Sequence, residues 1–315
     1  MQLILLFNLF AVENFAQLDM AISPGMYQFK NQIFDKTIPF NTMRLSGDEV
    51  WLDFAPTSFH HHTTAGNNEQ KFQGYTFGIS HFFKNRSLVG IFIDSHKNDI
   101  TYLDGGTYNN KLDLLSFGIY GNITSNKMNY LWLVSHTSAS GDNYQLSAPI
   151  VVPNFKVKSK ALQTSFEANR IFRTILGDSF FFKPFIGIDL SYIIFGNFYN
   201  LISNGSFVKS DITLGSELKY QKARVELLWK LYLRQILSGR TATSKSLPVY
   251  DALGASAVFH STSLESTYVG ISMAAKLGIF SRLSLIANGT LEIASDQKYI
   301  SYIFAGLNIP ILPRS

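Results

Sequence analysis

The chain contains no cysteine. Disulfide staples and thiolate metal centres are therefore excluded. Charge is also scarce. Asp, Glu, Lys and Arg make up 16% of the 315 residues, where a soluble domain carries about a quarter. Long apolar runs do not compensate. No segment reaches the 18 or so consecutive apolar residues that a membrane-crossing helix needs. The most apolar stretch, residues 3–12, is interrupted by Asn8. Its length suits a signal-peptide core, but no basic residue precedes it and Asn14 disturbs the small-x-small site ahead of Gln17. Residues 1–17 read either as a signal-like segment or as part of a preceding segment of a longer reading frame. Both readings are compatible with export. A basic cluster able to grip nucleic acid is missing too, because the net charge of +5 is spread along the chain. No nucleic-acid partner is expected. Gly105-Gly106 and the Gly74/Gly78 pair have no Lys-Ser or Lys-Thr after them. They read as turn or close-packing glycines rather than phosphate loops, so no cofactor is expected.

Alternation takes the place of these features. From residue 225 the chain reads Val-Glu-Leu-Leu-Trp-Lys-Leu-Tyr-Leu-Arg. Val225, Leu227, Trp229, Leu231 and Leu233 fall on one face. Arg224, Glu226, Lys230, Tyr232 and Arg234 fall on the other, with Leu228 the aliphatic intruder. A period of two is a strand. An apolar face opposite a charged face over about ten residues is the pattern of a strand that crosses a bilayer. Aromatics are abundant, with 27 Phe and 15 Tyr, and membrane barrels use aromatics as girdles at both interfaces.

From Asp48 onward the same pattern predicts twelve strands, near residues 50–58, 71–83, 87–100, 112–124, 128–139, 157–173, 181–198, 210–220, 223–236, 266–279, 283–294 and 299–311. In the seventh, Phe182, Ile186, Ile188 and Leu190 oppose Lys183, Gly187, Asp189 and Ser191. In the eighth, Ile212, Leu214 and Leu218 oppose Asp211, Thr213, Glu217 and Lys219. In the eleventh, Leu285, Leu291 and Ile293 oppose Thr290 and Glu292. The fifth is ambiguous, because Leu131 and Leu133 face away from Tyr130 and Trp132. Connections alternate between short turns (84–86, 125–127, 176–178, 221–222, 280–282) and long polar segments (60–70, 101–111, 140–155, 199–209, 237–265). Outer-membrane barrels have short periplasmic turns and longer outer loops. A soluble β-sandwich would also alternate, with one face buried and the other wet, but here the apolar face is wide and carries the amphipathic aromatics Trp229, Tyr192 and Tyr220. The fold expected is therefore all-β: a twelve-stranded antiparallel transmembrane β-barrel, spanning residues 47–315.

Residues 18–46 differ. Ser23 can cap a helix over 24–36, with Pro24 in its first turn and Met26, Phe29 and Ile33 loosely spaced along it. An irregular linker is the alternative.

A helix or linker followed by twelve strands with this turn rhythm resembles the translocator domain of autotransporters, the type V secretion family. The resemblance covers about residues 20–311. It is carried by Arg44 with Val50-Trp51, by Phe72-Gln73-Gly74-Tyr75-Thr76-Phe77-Gly78-Ile79, and by Leu88-Val89-Gly90-Ile91. Phe117-Gly118-Ile119-Tyr120-Gly121, Phe182-Lys183-Pro184-Phe185-Ile186-Gly187 and Thr213-Leu214-Gly215-Ser216-Glu217 continue it. Two features depart from the family pattern. The last strand ends Asn308-Ile309-Pro310-Ile311 without a terminal aromatic. The Asn-Asn pair at which some members cut themselves is absent, since Asn14, Asn31 and Asn41 stand singly.

The resemblance implies an outer-membrane protein of a Gram-negative-type envelope. It would translocate or anchor an N-terminal passenger, its own or upstream-encoded, through a lumen that residues 18–46 plug. Outer-membrane lipid and the barrel-assembly machinery are the implied partners, and the barrel would act as a monomer. The candidate lumen-facing acids are Asp94, Glu167, Asp189, Glu217 and Glu226. The candidate lumen-facing bases are Lys219, Arg224, Lys230 and Arg234. They would hydrate the lumen, pair with one another across strands, or meet Lys30, Asp35, Lys36 and Arg44 of the N-terminal segment.

Two other functions compete. A passive porin would keep the N-terminal segment outside the lumen. A barrel enzyme, lipase or protease, would need a nucleophile with an oriented base at the outer rim. His136 and Ser138 lie two apart and share a face, a spacing similar to the His-x-Ser pair of outer-membrane phospholipases, but no residue is evident to orient His136. His96 and Asp99 fall on opposite faces. In His60-His61-His62 only His60 and His62 share a face, and no cysteine or adjacent carboxylate completes a metal set. No catalytic or metal-binding residue is assigned.

Overall fold

The computed structural model describes residues 47–54, 57–63, 66–83, 87–102, 108–125, 128–145, 155–174, 177–195, 205–238, 248–250, 256–258, 267–280, 283–294 and 299–308. The segments 1–17 and 18–46 lie outside these residues, and with them the expected helix or linker. Every described element is a strand. β1 (Gly47–Phe54), β2 (Thr57–Thr63), β3 (Gly66–Phe82) and β4 (Leu88–Tyr102) come first. β5 (Tyr108–Ser125), β6 (Met128–Gln145), β7 (Phe155–Arg170) and β8 (Phe172–Thr174) follow. Then come β9 (Gly177–Phe195), β10 (Gly205–Lys222), β11 (Val225–Ser238), β12 (Pro248–Tyr250) and β13 (Ser256–Val258). The chain ends with β14 (Thr267–Phe280), β15 (Leu283–Ala294) and β16 (Tyr299–Asn308).

Pairing closes these strands into a ring. All ladders are antiparallel, and the strands from β3 to β16 pair in sequence order, apart from β8, which pairs β9 alone, and the separate β12–β13 hairpin. One edge of β3 carries β4 along its length. The other edge carries β1 opposite residues 75–82 and β2 opposite residues 66–72. β1 and β2 therefore lie end to end along the same edge of β3 and count as one stave. β2 closes the ring on β16. β8 continues β7 along β9. The result is a twelve-stave barrel, in which no sheet edge runs its full length unpaired.

The side chains sort by parity. Leu214, Leu231, Ile271 and Met273 are more than half exposed, while Thr213, Tyr232, Ser272 and Glu292 on the alternate positions are buried. The apolar face points out and the polar face points in. Two connected faces of opposite chemistry suit a closed sheet in lipid: the ladders pair most backbone groups within the ring, and the outer side chains can meet hydrocarbon.

β6 resolves its ambiguity against the simple rule. Leu131 and Leu133 point inward and are 0% exposed, while Tyr130 and Trp132 are half-buried on the outer face. The interior at the short-turn end is apolar. Trp51, Phe82, Leu88, Phe92 and Tyr120 cluster there with the two leucines, and Ile171 packs against them. Glycines make the cluster dense. The indole of Trp51 lies over Gly78, and its Nε1 donates to the Tyr120 hydroxyl at 2.8 Å. Ser80, Gly90 and Tyr120 form one row across β3, β4 and β5. Tyr120 crosses the side-chain-free Gly90 to reach the Ser80 hydroxyl at 2.5 Å.

Strands run further than the sequence predicts at the long-loop end. The segment expected to be a loop from 60 to 70 is laddered as far as Thr63↔Gly66. The loop expected over 101–111 loses residues at both ends, since pairing continues to Tyr102↔Tyr108. The long 237–265 connection contains the β12–β13 hairpin. Polar extended segments keep pairing because their backbone groups need partners whatever the side chains. At the other end the β10–β11 turn falls on Ala223-Arg224, two residues later than expected, with Ala223 at a φ of 50°.

Candidate functional site: the charged interior wall

Charges on the inner face concentrate on the arc from β7 to β15, opposite the apolar arc from β1 to β6. Toward the short-turn end, Lys183 of β9 stands directly across from Glu217 of β10. Its Nζ lies 2.8 Å from Glu217 Oε2 and 4.0 Å from Glu167 Oε1 of β7. Neither Glu217 oxygen has the geometry of a hydrogen bond, so this contact is ionic rather than directed. Asn169 Nδ2 donates to Glu167 Oε1 at 3.0 Å. Lys219 and Glu226 pair at 2.8 Å across the β10–β11 hairpin.

Toward the long-loop end a second network spans four staves. Arg234 of β11 donates through Nη1 to Asp211 Oδ2 of β10 at 3.2 Å, and through Nη2 to Glu292 Oε2 of β15. β11 and β15 are not neighbours, because β14 lies between them. Gly270 allows the reach. Tyr232, Gly270 and Glu292 occupy one row across β11, β14 and β15. A Cβ at Gly270 would overlap the Tyr232 ring, and with none there the phenol donates to Glu292 Oε1 at 2.7 Å. Arg234 also stacks over Tyr268, 4.6 Å from its centroid. Asp189 and Asp211 stand opposite one another in register.

On the apolar arc, Asp94 accepts from Thr76 Oγ1 at 2.5 Å and pairs with His96 Nδ1 at 2.8 Å. Ions withdrawn from bulk water persist only when paired or hydrogen-bonded, and these contacts supply that compensation.

Of the nine candidates, Asp94, Glu167, Asp189, Glu217, Lys219 and Arg234 are buried on the inner face. Glu226 and Lys230 are half-buried there, Lys230 lying 4.5 Å over the Phe185 ring. Arg224 falls in the displaced β10–β11 turn and is exposed. The alternation places Asp211 and Glu292 on the same polar face as the candidates but offers no reason to single them out. Their importance comes from Arg234, which joins strands that are distant in sequence.

The competing sites do not assemble. His136 and Ser138 face outward, the His136 ring packs 5.1 Å from Phe117, and His136 Nδ1 has no hydrogen-bond partner to orient it. His96 is joined to Asp94, while Asp99 is exposed on the other face. His60 lies opposite Glu69 in the β2–β3 register, a carboxylate that the sequence spacing passes over. The side chains of the His60–62 run lie outside the described residues. Among the described residues, no group of three or more His or carboxylate side chains is placed to hold a metal. Among the described residues, no helix is long and apolar enough to cross a membrane.

The family model for the autotransporter β-domain matches residues 50–290. No curated protein sequence matches the chain. Among solved structures, the translocator domain of the autotransporter NalP from Neisseria meningitidis superposes with a TM-score of 0.68 at 10% identity, covering 94% of this chain and 98% of that one. The transport unit of AIDA-I from Escherichia coli gives 0.56 at 10% identity, covering 87% and 93%. The β domain of the Bordetella autotransporter BrkA gives 0.57 at 13% identity, covering 84% and 99%. At such identities these structures bear on the fold alone.

Proposed function

From the premise that this chain belongs to the autotransporter β-domain family, we propose that its interior wall lines a channel occupied by the chain's own N-terminal segment. The protein is an outer-membrane translocator barrel of a Gram-negative envelope, a transport barrel rather than an enzyme. Residues 47–315 form the translocator. Residues 18–46 run through the lumen as helix or linker, tethering a passenger on the outer side. Residues 1–17 belong to the export signal or to the segment preceding it. The barrel works as a monomer and is inserted by the barrel-assembly machinery.

One observation carries the reading: a closed twelve-stave sheet that is apolar outside and both charged and apolar inside. A barrel of this stave number is too wide to fill with its own side chains, yet narrow enough for one helix to occupy. Its interior offers that helix an aromatic arc and a charged arc. Met26, Phe29 and Ile33 suit the first, and Lys30, Asp35 and Lys36 suit the second.

Single-channel conductance in planar bilayers tests this. The full chain is expected to conduct poorly, and residues 47–315 alone to give a large, stable current. Equal, open currents from both forms would contradict a resident plug and favour a passive porin.

A further inference from the structure

Just above the apolar band, toward the long-loop end, the outer face carries exposed lysines on neighbouring staves. They are Lys71 of β3, Lys97 of β4, Lys111 of β5, and Lys158 and Lys160 of β7. Each shares the parity of the exposed apolar positions on its own strand, so each points away from the lumen. Register brings them together. Lys71 lies opposite Asp99, and Asp99 opposite Lys111. Lys97 lies opposite Asp113, Asp113 opposite Ser140 of β6, and Ser140 opposite Lys158. Lys160 follows one step lower, opposite Ser138. Asp99 and Asp113 are exposed on the same face, so lysines exceed carboxylates in the arc. Five neighbouring staves at about 4.8 Å spacing make it about 20 Å wide.

Two observations define what such an arc can hold. Directly beneath it the same strands expose Tyr75, Phe77, Ile93, Leu115, Phe117 and Leu162, each at least 41% accessible. The rest of the ring is different. At the same end, the described outward positions of β9 to β15 include Tyr192, Val208, Ser210, Gln235, Thr267 and Ile293, with no charged side chain among them. The lysines are thus gathered on one side of the barrel, at the height where hydrocarbon gives way to headgroup. A lysine stem lies along apolar surface while its ammonium reaches the polar layer. Charge-assisted hydrogen bonds to phosphate oxygens are then the strongest contacts on offer.

We propose that the β3–β7 arc is a docking surface for a phosphate-bearing glycolipid of the outer leaflet. Its phosphates bridge the lysines, and its acyl chains pack on the aromatic and aliphatic rows below. The inference rests on the outer-membrane placement and is independent of what occupies the lumen, so conductance and lipid binding fail separately. Asp99 and Asp113 limit the affinity by offsetting part of the positive charge.

The test titrates the full chain in neutral detergent with bisphosphorylated lipid A, and with the same lipid after phosphate removal. Binding is read by native mass spectrometry, and the closed barrel is confirmed by its heat-modifiable gel mobility. Wild type is expected to prefer the phosphorylated lipid by at least about tenfold. Each lysine near a charged membrane surface contributes roughly fivefold. The triple variant Lys71→Gln/Lys97→Gln/Lys158→Gln should therefore lose on the order of a hundredfold. Lys222→Gln, exposed beside the β10–β11 turn, should change nothing. Should the triple variant not fold, Asp99→Asn/Asp113→Asn decides the matter, because removing two carboxylates is expected to tighten binding several-fold. The proposal is overturned by equal affinity for the two lipids, by a folded triple variant within twofold of wild type, or by an Asn pair that binds no tighter. Displacement of the lipid by equimolar inorganic phosphate would also overturn it, since it would reveal a general anion site with no share for the acyl chains.

Discussion

Glu292 is 1% exposed and holds two partners at once, the Tyr232 phenol and the Arg234 guanidinium. Its charge is tolerated only because both donors are in place, and the phenol arrives only because residue 270 has no side chain. Breaking a buried pair leaves the remaining ion uncompensated, which costs about 3–5 kcal/mol, while an exposed pair contributes well under 1 kcal/mol. Glu292→Gln is therefore expected to lower the urea unfolding free energy of the refolded barrel by about 3 kcal/mol, Arg234 keeping Asp211 as its second partner. Asp48→Asn, which breaks the exposed pair with His81, should change it by less than about 1 kcal/mol. Equal effects from the two variants would mean that Glu292 is as well solvated as Asp48. At this scale the sequence identifies which residues are charged and which face they share. It does not identify Gly270 as the gap through which two of them meet.

Each strand works as a two-sided element, and its two sides are held to different standards. Leu231, at the middle of β11, is 55% exposed on the outer face. An arginine there would be moved into hydrocarbon, at a cost of about 2–4 kcal/mol near the bilayer midplane. Leu231→Arg should therefore refold into lipid vesicles with a matching drop in stability, and show a smaller drop in detergent, whose thinner and more deformable alkyl belt lets the guanidinium snorkel to water. The outer face is legible in sequence because lipid imposes one chemistry on every exposed position. The inner face is not, because it meets water, ions and other side chains in turn. β6 shows the consequence. Leu131 and Leu133 belong to the interior aromatic cluster, so both faces of that strand are apolar at one end and its parity disappears. The strands outrun the sequence expectation at the long-loop end for a related reason. Residues 60–70 carry histidines, threonines and asparagines without an apolar period, yet β2 and β3 stay paired through them.

At the scale of the molecule, the ring is uneven. β9 and β10 pair from Gly205↔Phe195 to Tyr220↔Phe180. The closing seam runs only from Tyr299↔His62 to Phe304↔Thr57, and β1 below it is hydrogen-bonded to β3 alone among the described strands. Local opening follows the density of pairing. Hydrogen exchange on the folded barrel should therefore exchange the seam-facing amides of residues 299–304 well before those of β9 and β10. Protection at the seam equal to that of β9 would contradict this reading. The outer surface is uneven as well, with lysines on the β3–β7 arc and neutral side chains at the described outward positions of β9 to β15 at that height. Neither asymmetry is visible before closure, since both depend on which strands become neighbours.

The sequence by itself determined that this chain is a membrane barrel: its stave number, the side that the cleanly alternating strands show to lipid, and the alternation of short turns with longer loops. Those properties follow from local period and length, which each strand carries independently of its neighbours. Tertiary structure alone decided which interior charges pair, where glycines admit aromatic rings, and how far the strands run beyond the membrane. It also decided which lysines gather on one side. These are matters of register between strands, and register is settled only when the sheet closes on itself.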